Sequence, residues 1–308
     1  MSDGMKELMR SVGLLTAAVV LAFAPDAYFV VLARAFILPA MIILLSIAAV
    51  TAWYRRWWVA QAALFGTGLL AVQLNLPDAP DPPAASHTGL RVLQMNVLQL
   101  NTAYDAAIVQ ALESDADLVS VQEVSPEWAQ ALQSGLQRRY PYVHIEPRTN
   151  CYGIAFFSRH PFQAVRTITM RGDPFVEAYV EVHGRRVRLL AVHATSPISY
   201  GHFRRRNDQL ELLGRYVARD DTATILIGDL NTVPWDQAFR RFCSRSGLHS
   251  LTPLSHRTWP SVGPFAVIPL DHVLATDGIS STTIRTMPIK GSDHRALIAD
   301  LQLPRHAP

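Results

Sequence analysis

Eight side chains of this 308-residue chain carry groups suited to hydrolytic chemistry, and each stands at or near the end of an apolar run. Asn96 interrupts VLQMNVL, Glu123 ends LVSVQEV and His193 ends RLLAVHA. Asp229 and Asn231 close TILIGDLN, Asp271 lies within IPLDHVL, and Asp293 with His294 precedes RALIADL. Singly, each has an ordinary explanation: a bulge, a strand end that surfaces, a satisfied core histidine or an Asx turn. Those explanations are independent of one another. A single cause covers all of them, namely that the run ends converge on one cleft.

The chemistry of such a cleft is narrow. Carboxylate and amide oxygens are hard ligands that suit Mg²⁺, with Mn²⁺ or Ca²⁺ as alternatives. Mg²⁺ commonly takes one or two carboxylates and leaves room for waters and a substrate phosphate. Glu123 is the first choice of ligand, with Asp229, Asn231 and Asp293 completing or flanking the site. Two histidines beside the metal point to proton transfer and phosphate binding. An acid near a histidine holds its tautomer and stabilises the imidazolium, a role open to Asp271 toward His294.

These groups need elements to carry them. The stretches RVLQMNVL, ADLVSVQEV, GIAFFS, TATILIGDL, IPLDHVLAT and RALIADL read as strands. AYDAAIVQALES, PEWAQALQSGL and FRRRNDQLELLGRYVARD read as helices, the second opening on Pro126 as a first-turn residue. FVEAYVEVHGRRVRLLAVHA reads as a hairpin turning near His183-Gly184. A hairpin followed by helix-linked strands argues for mixed pairing and two packed sheets over a plain doubly wound parallel sheet.

The front of the chain is different. SVGLLTAAVVLAFA, FILPAMIILLSIAAVTAW and WWVAQAALFGTGLLAVQLNL contain no charge, and the last two meet the ~20 helical residues needed to cross a bilayer. The expectation is a membrane anchor of about three helices over residues 1–76, a Pro-rich linker over 77–88 and a catalytic domain over 89–304. Lys6, Arg10, Arg55 and Arg56 flank the runs on one side. Basic loops stay cytoplasmic, which places the catalytic domain on the periplasmic side of the inner membrane. The first run also ends like a signal peptide, in Ala22-Phe23-Ala24, but Pro25 beyond it favours an uncleaved span. Beyond residue 84 the charge sums to +3, compatible with an anionic substrate but less lopsided than a dedicated nucleic-acid binder. Cys151 and Cys243 are too few for a zinc site and are expected as separate thiols.

The stretches LQMNV, SVQEV, GIAFFSRHPF, LAVHATSP, LIGDLNTVP, IPLDHVLAT and GSDHRALIADL occur in this order over residues 91–301. In them the chain resembles the endonuclease/exonuclease/phosphatase superfamily, in a bacterial branch with transmembrane helices before the catalytic domain. The resemblance implies an α+β fold, a four-layered α/β/β/α sandwich of two mixed sheets, and metal-dependent hydrolysis of a phosphate ester. It implies that Glu123 holds the metal with Asn96 beside it, and that Asp293 is a second ligand or a water-positioning acid. By the same resemblance Asp229 aligns or deprotonates the attacking water and Asn231 grips the phosphate. His193 and His294 stabilise the transition state or protonate the leaving oxygen, and Asp271 orients His294.

Arg159, Arg206 and Asn207 are the expected grips on substrate phosphate, the last two from the start of the helix after His193. The leading functional reading is a membrane-anchored, nuclease-like phosphodiesterase. The alternatives are a sphingomyelinase-like lipid-headgroup phosphodiesterase, a phosphatase, or a non-catalytic membrane-tethered binding module. Partners are then the phosphodiester substrate and the bilayer. The lack of charge within the second and third apolar runs argues against a transporter.

Overall fold

The structure, a computed structural model, describes residues 1–74 and 87–304. Most of the expected linker, residues 77–86, lies outside the described residues. The chain divides into two compact units, residues 1–78 with 235–237, and residues 79–234 with 238–308.

The first unit is helical: α1 (Asp3–Phe23), α2 (Tyr28–Ala35), α3 (Ile37–Trp53) and α4 (Trp57–Val72). Gly66 lets α4 approach its neighbours, since a Cβ there would lie 3.1 Å from the Ala18 Cβ and 3.5 Å from Leu44. Arg34 ends α1 rather than serving as a free loop charge. Its Nε donates to the Leu21 carbonyl at 2.9 Å, its Nη2 to the Ala24 carbonyl and its Nη1 to Asp26. Orphan carbonyls at a helix C-terminus are thereby satisfied. The single spans expected from the apolar runs are not realised. α3 has 17 residues and α4 has 16, about 25 Å at 1.5 Å per residue, short of the ~30 Å hydrocarbon core. No single helix among the described residues is both long and apolar enough to cross a membrane; α1 and α2 meet the criterion only as a pair bent by 99°.

The second unit runs β1 (His87–Asn96), α5 (Tyr104–Glu113), β2 (Leu118–Gln122), α6 (Pro126–Leu136), β3 (Tyr142–Glu146), β4 (Ile154–Ser158), β5 (Phe162–Met170), β6 (Asp173–Val182) and β7 (Arg185–His193). It continues through α7 (Tyr200–Val217), β8 (Thr224–Asp229), α8 (Gln237–Ser246), β9 (His249–Ser250), β10 (Trp259–Val262), β11 (Phe265–Ile268), β12 (Asp271–Ala275), β13 (Ser280–Pro288) and β14 (Arg295–Pro304). Two six-stranded sheets form, ordered β13-β14-β1-β2-β4-β3 and β5-β6-β7-β8-β12-β9. Each is mixed, with one parallel pair at its heart, β1 with β2 and β7 with β8, crossed over by α5 and α7 respectively. The His183-Gly184 turn joins β6 to β7 with both residues left-handed, φ 50° and 78°, as a two-residue hairpin requires.

Strand alternation builds the layers. Leu90, Val92, Leu118, Val187, Leu189, Ile225, Ile227 and Val273 face inward and fill the space between the sheets. Leu93, Met95, Val119 and Val121 face outward onto α5 and α6, with Trp128 and Leu132. Leu190, Val192 and Leu226 face outward onto α7 and α8, with Leu210, Leu213 and Phe242. The result is the expected α+β sandwich of two mixed sheets. Each fully buried aliphatic side chain contributes roughly 1.5–3 kcal/mol, which makes the two-residue period hard to shift by one.

Candidate active site

The same period selects the polar residues. Continuing inward-facing positions by twos along each strand leads from Leu90 and Val92 to Gln94 and Asn96, and from Leu118 to Ser120 and Gln122. Likewise Val187, Leu189 and Ala191 lead to His193, and Ile225 and Ile227 lead to Asp229. Asn96 pairs with Gln122 across β1 and β2, His193 with Asp229 across β7 and β8, and Asp229 with Asp271 across β8 and β12. The C-terminal ends of both parallel pairs thus open at one end of the inter-sheet space. Glu123, one residue past β2, would point outward by parity, but its backbone is left-handed at φ 64°. Two glycines admit tight passages nearby: a Cβ at Gly153 would lie 1.9 Å from the Val124 carbonyl oxygen, and one at Gly228 1.9 Å from that of Val192.

Asn96 is the hinge of the cluster. Its Nδ2 donates to Glu123 Oε1 at 3.1 Å and to Asp229 Oδ2 at 3.1 Å, so one amide joins the two sheets. Glu123 Oε2 accepts the Gln99 N–H at 2.9 Å. Burial holds the Glu123 carboxyl above its ordinary pKa, with these hydrogen bonds pulling the other way. Asp229 Oδ1 accepts the Asn231 N–H at 2.8 Å, and Asn231 Nδ2 donates to the Ala194 carbonyl at 3.0 Å. The Nε2 atoms of His193 and His294 each lie 3.7 Å from Asp229 Oδ2, just outside hydrogen-bond range.

His294 Nδ1 donates to Asp271 Oδ2 at 2.9 Å, and Asp271 Oδ1 accepts Gln94 Nε2 at 2.6 Å. Burial alone would depress the His294 pKa, but the Asp271 and Asp229 carboxylates outweigh it and hold the imidazolium up to about 10. Asp271 is pushed up by burial and pulled down further by His294, ending below its ordinary value. Asp229 is raised, first by burial and then by the charge of Asp271. His193 is driven down to about 4 by burial and by His294, so it is neutral. The site therefore holds one imidazolium, one imidazole, and an Asp229 carboxyl shifted toward neutrality.

Asp293 is held from the β10–β11 hairpin. Trp259 Nε1 donates to its Oδ2 at 2.8 Å and the Ser261 N–H to its carbonyl at 2.7 Å. Its Oδ1 is buried without a hydrogen-bond partner among the described residues. Thr258 Oγ1 accepts the Leu270 and Asp271 N–H groups, so one hairpin steadies both acids.

Of the residues expected at the site, the fold brings Asn96, Glu123, His193, Asp229, Asn231, Asp271, Asp293 and His294 to one end of the sandwich. Three substrate grips need correction. Arg159 follows β4, which runs antiparallel to β2, and so lies at the opposite end of that strand, about 16 Å away for five residues. There its Nη2 pairs with Asp115 at 2.6 Å. Arg206 is buried, and its Nη1 donates to the Asn231 carbonyl at 2.9 Å. Asn207 Oδ1 accepts both Nε and Nη2 of Arg206. Both residues support the Asn231 loop from beneath. Gln94 and Thr258 were not anticipated. Strand parity from Asn96 points to Gln94, but nothing local in the sequence marks Thr258.

The donor chemistry can be tested against a divalent cation. Among the described residues Asp229, Asp271 and His294 each bring a ligand atom within 4.8 Å of the others. In that trio, however, both Asp271 oxygens are already engaged, one by His294 Nδ1 at 2.9 Å and the other by Gln94 Nε2 at 2.6 Å. Glu123 fits better: it is half-buried, and each of its oxygens accepts a single neutral donor. The unpartnered Asp293 Oδ1 is a second hard oxygen of the right kind.

A mixed double sheet with acids, amides and histidines at the ends of its central strands defines a class, that of metal-dependent phosphoric ester hydrolases. Residues 93–294, more than half of the chain, match the Endonuclease/Exonuclease/phosphatase family, and the chain belongs to that family. Among solved structures it is similar to D. rerio TDP2 complexed with single strand DNA product, at 17% identity and TM-score 0.58, over 70% of this chain and 99% of that one. It is similar to sphingomyelinase C from Streptomyces griseocarneus, at 17% identity and TM-score 0.53, over 69% and 99%. A family protein from Leptotrichia buccalis gives 17% and 0.55, over 69% and 99%. No curated protein matches the chain.

Proposed function

We propose that the chain is a membrane-anchored phosphodiesterase that hydrolyses a phosphate ester by attack of water, with nucleic acid as the leading substrate. The observation that carries this reading is the surround of Asp229 Oδ2. It shares the Asn96 amide with Glu123 and has the Nε2 of both histidines at 3.7 Å. Asp229, raised toward neutrality, is matched to accept a proton from an attacking water near pH 7. His294 is kept cationic by Asp271 and offers its Nε2 proton to a phosphoryl or leaving oxygen. Neutral His193 lies on the other side as a hydrogen-bond partner for the same phosphoryl group. Asn231, fixed by Ala194, Asp229 and Arg206, presents the remaining Nδ2 proton to the phosphate. Glu123 would hold a divalent cation, Mg²⁺ first, with Asn96 and Asp293 flanking it. When bound, the ion supplies Lewis-acid polarisation of the phosphoryl oxygens.

Anchoring is supported by the first unit's surface. Ile42, Ile43, Leu64 and Phe65 are more than half exposed along α3 and α4. Apolar helix faces of this kind suit lipid. Trp53, Trp57 and Trp58 are exposed beside Arg55 and Arg56, a pairing typical of a cytoplasmic interface. With that turn inside, the catalytic unit is extracytoplasmic. Retention of the chain in alkali-washed membranes, and digestion of residues 87–304 by external protease, are the expected results; a chain released by the wash ends the anchoring reading.

For the chemistry, His294→Ala and Glu123→Ala are assayed on bis-p-nitrophenyl phosphate with Mg²⁺. Each is expected to lose roughly 10²–10³-fold in kcat/KM while remaining folded. Wild-type rates in both would overturn the assignment. A lipid-headgroup reading is supported by the likeness to the sphingomyelinase, and plasmid DNA set against sphingomyelin vesicles separates the two.

A further inference from the structure

The start of α7 carries Arg204, Arg205 and Arg206 in succession, and the fold gives them three different fates. Arg204 is exposed and Arg206 is buried under Asn231. Arg205 lies between these extremes, its side chain 32% exposed. We propose that Arg205, spaced from His193 by Tyr152, forms a subsite for a second phosphate of the substrate, next to the one that is cleaved.

The anchorage is built from buried groups. Arg205 Nη2 donates to Asp173 Oδ1 at 2.5 Å, and Asp173 is buried at the start of β6. The other oxygen of Asp173 accepts Thr195 Oγ1 at 3.0 Å and Gln209 Nε2 at 2.7 Å. Thr195 stands two residues beyond His193, and its N–H donates to Gln209 Oε1 at 2.8 Å. One carboxylate therefore ties the guanidinium to the chain leaving the catalytic histidine. The Arg205 Cζ lies 5.5 Å from the Tyr152 ring centroid, and that ring lies 5.4 Å from the His193 ring. The charge is thus held within about 11 Å of His193 with a rigid aromatic spacer between.

Arg188 shows what a purely structural arginine looks like in this molecule. It is fully buried, donating through Nε to Glu177 and through Nη1 to the Val217 carbonyl. Arg205 instead meets its acid through one terminal nitrogen, Nη2, with its Nε buried without a partner and no bond from its Nη1 among the described residues. Asp173 orients this guanidinium through Nη2, and the remaining Nη1 is the charged donor left to meet a phosphate. A strand with repeated phosphates suits a cation beside the catalytic histidines; a choline headgroup, itself cationic, does not.

The inference rests on the phosphodiesterase reading and narrows its substrate. Its test uses the full chain and two probes, thymidine 5′-(p-nitrophenyl phosphate) and the same ester bearing a 3′-phosphate. Wild type is expected to favour the 3′-phosphorylated probe at least ten-fold in kcat/KM, mainly through KM. Arg205→Gln should reduce that preference to near unity, and Arg205→Lys should retain part of it. Equal losses on both probes, an undiminished preference in Arg205→Gln, or sphingomyelin vesicles cleaved in preference to both probes overturn the subsite. Equilibrium binding of thymidine 3′,5′-bisphosphate against thymidine 5′-phosphate reads the subsite without turnover. If neither ester is cleaved, yet a ten-fold binding preference is present and is lost in Arg205→Gln, the subsite stands and the catalytic reading fails. Equal binding of the two nucleotides by wild type removes the subsite.

Discussion

Two sets of buried charges lie on opposite faces of the second sheet, and they follow opposite rules. On the outer face Glu177 Oε1 accepts Arg188 Nε at 2.8 Å, and its Oε2 accepts Arg166 Nε at 2.7 Å and the Tyr216 hydroxyl at 2.9 Å. No buried side-chain atom of these four residues lacks a partner. On the inner face, at the strand ends, His193 Nδ1 is buried and without a hydrogen-bond partner among the described residues, as are Gln94 Oε1 in the first sheet and Asp293 Oδ1 beside it. A buried polar atom left without a partner costs about 1–3 kcal/mol. A fold tolerates several such atoms in one place when something else completes them. Burial of charge is common to both sets; unfilled bonding capacity distinguishes the one that does chemistry.

The strongest way to break this contrast is to remove a partner from the saturated set. Arg188→Ala leaves the Glu177 carboxylate buried with one guanidinium fewer, and breaking a buried pair typically costs 3–5 kcal/mol. The expected variant unfolds at markedly lower temperature but, where folded, keeps the wild-type kcat on bis-p-nitrophenyl phosphate. Glu123→Ala is expected to do the reverse. An Arg188→Ala protein that is stable but slow would show the two faces to be coupled.

How far the sequence could be read follows from the same alternation. Central strands such as β2 and β8 are buried on both faces and bounded by polar ends, so both the strands and their terminal acids are visible as apolar runs. The edge strands β5 and β13 each have a single buried position, mix polar with apolar residues, and carry no such signal. The β10–β11 hairpin was hidden for the same reason, and with it the partners of Asp293. Glu123 was legible although it breaks the parity of β2, because the strand's apolar run stops there; the left-handed turn that redirects it was not. The arginines of α7 were legible as a cluster, but which one is buried depends on helix phase, and it is Arg206 that turns under the Asn231 loop. The apolar front runs showed their composition plainly and their breaks poorly, since Arg34 and the bend before α2 depend on tertiary capping.

His272 bounds the contrast, because a single buried atom without a partner is not by itself a site. Parity sends it to the outer face, where its Nε2 donates to the Thr232 carbonyl at 2.9 Å and its ring packs 4.8 Å from Phe239. Its Nδ1 is buried without a partner. Burial drives its pKa down to about 4, against about 6.5 for an unfolded histidine. The unfolded chain therefore takes up a proton below pH 6.5 that the folded chain refuses until about pH 4. The stabilisation is present above pH 6.5 and is lost as pH falls to 4, roughly 3 kcal/mol in all. His272→Gln keeps an N–H for Thr232 and removes the titration. Urea unfolding at pH 7 and pH 4 should show the variant losing about 3 kcal/mol less than wild type; identical pH slopes would mean that His272 is solvated in the fold.

The smallest expected effect tests the unsatisfied set from within. Trp259 Nε1–H is the only side-chain donor seen on Asp293 among the described residues, at 2.8 Å to Oδ2, which leaves Oδ1 as the free oxygen. Trp259→Phe keeps an aromatic ring on the half-buried hairpin and deletes that N–H. If Asp293 serves the cation beside Glu123, an unsteadied carboxylate binds it less well, by about 1–2 kcal/mol for a lost charge-assisted hydrogen bond. The concentration of Mg²⁺ giving half-maximal activity should then rise about ten-fold, with kcat at saturating Mg²⁺ changed less than about two-fold. A reduced kcat at every Mg²⁺ concentration, with an unshifted midpoint, would instead assign Asp293 to the attacking water. The two outcomes divide the roles that the chain's family resemblance leaves open for this residue, and they do so through a side chain that touches neither substrate nor metal.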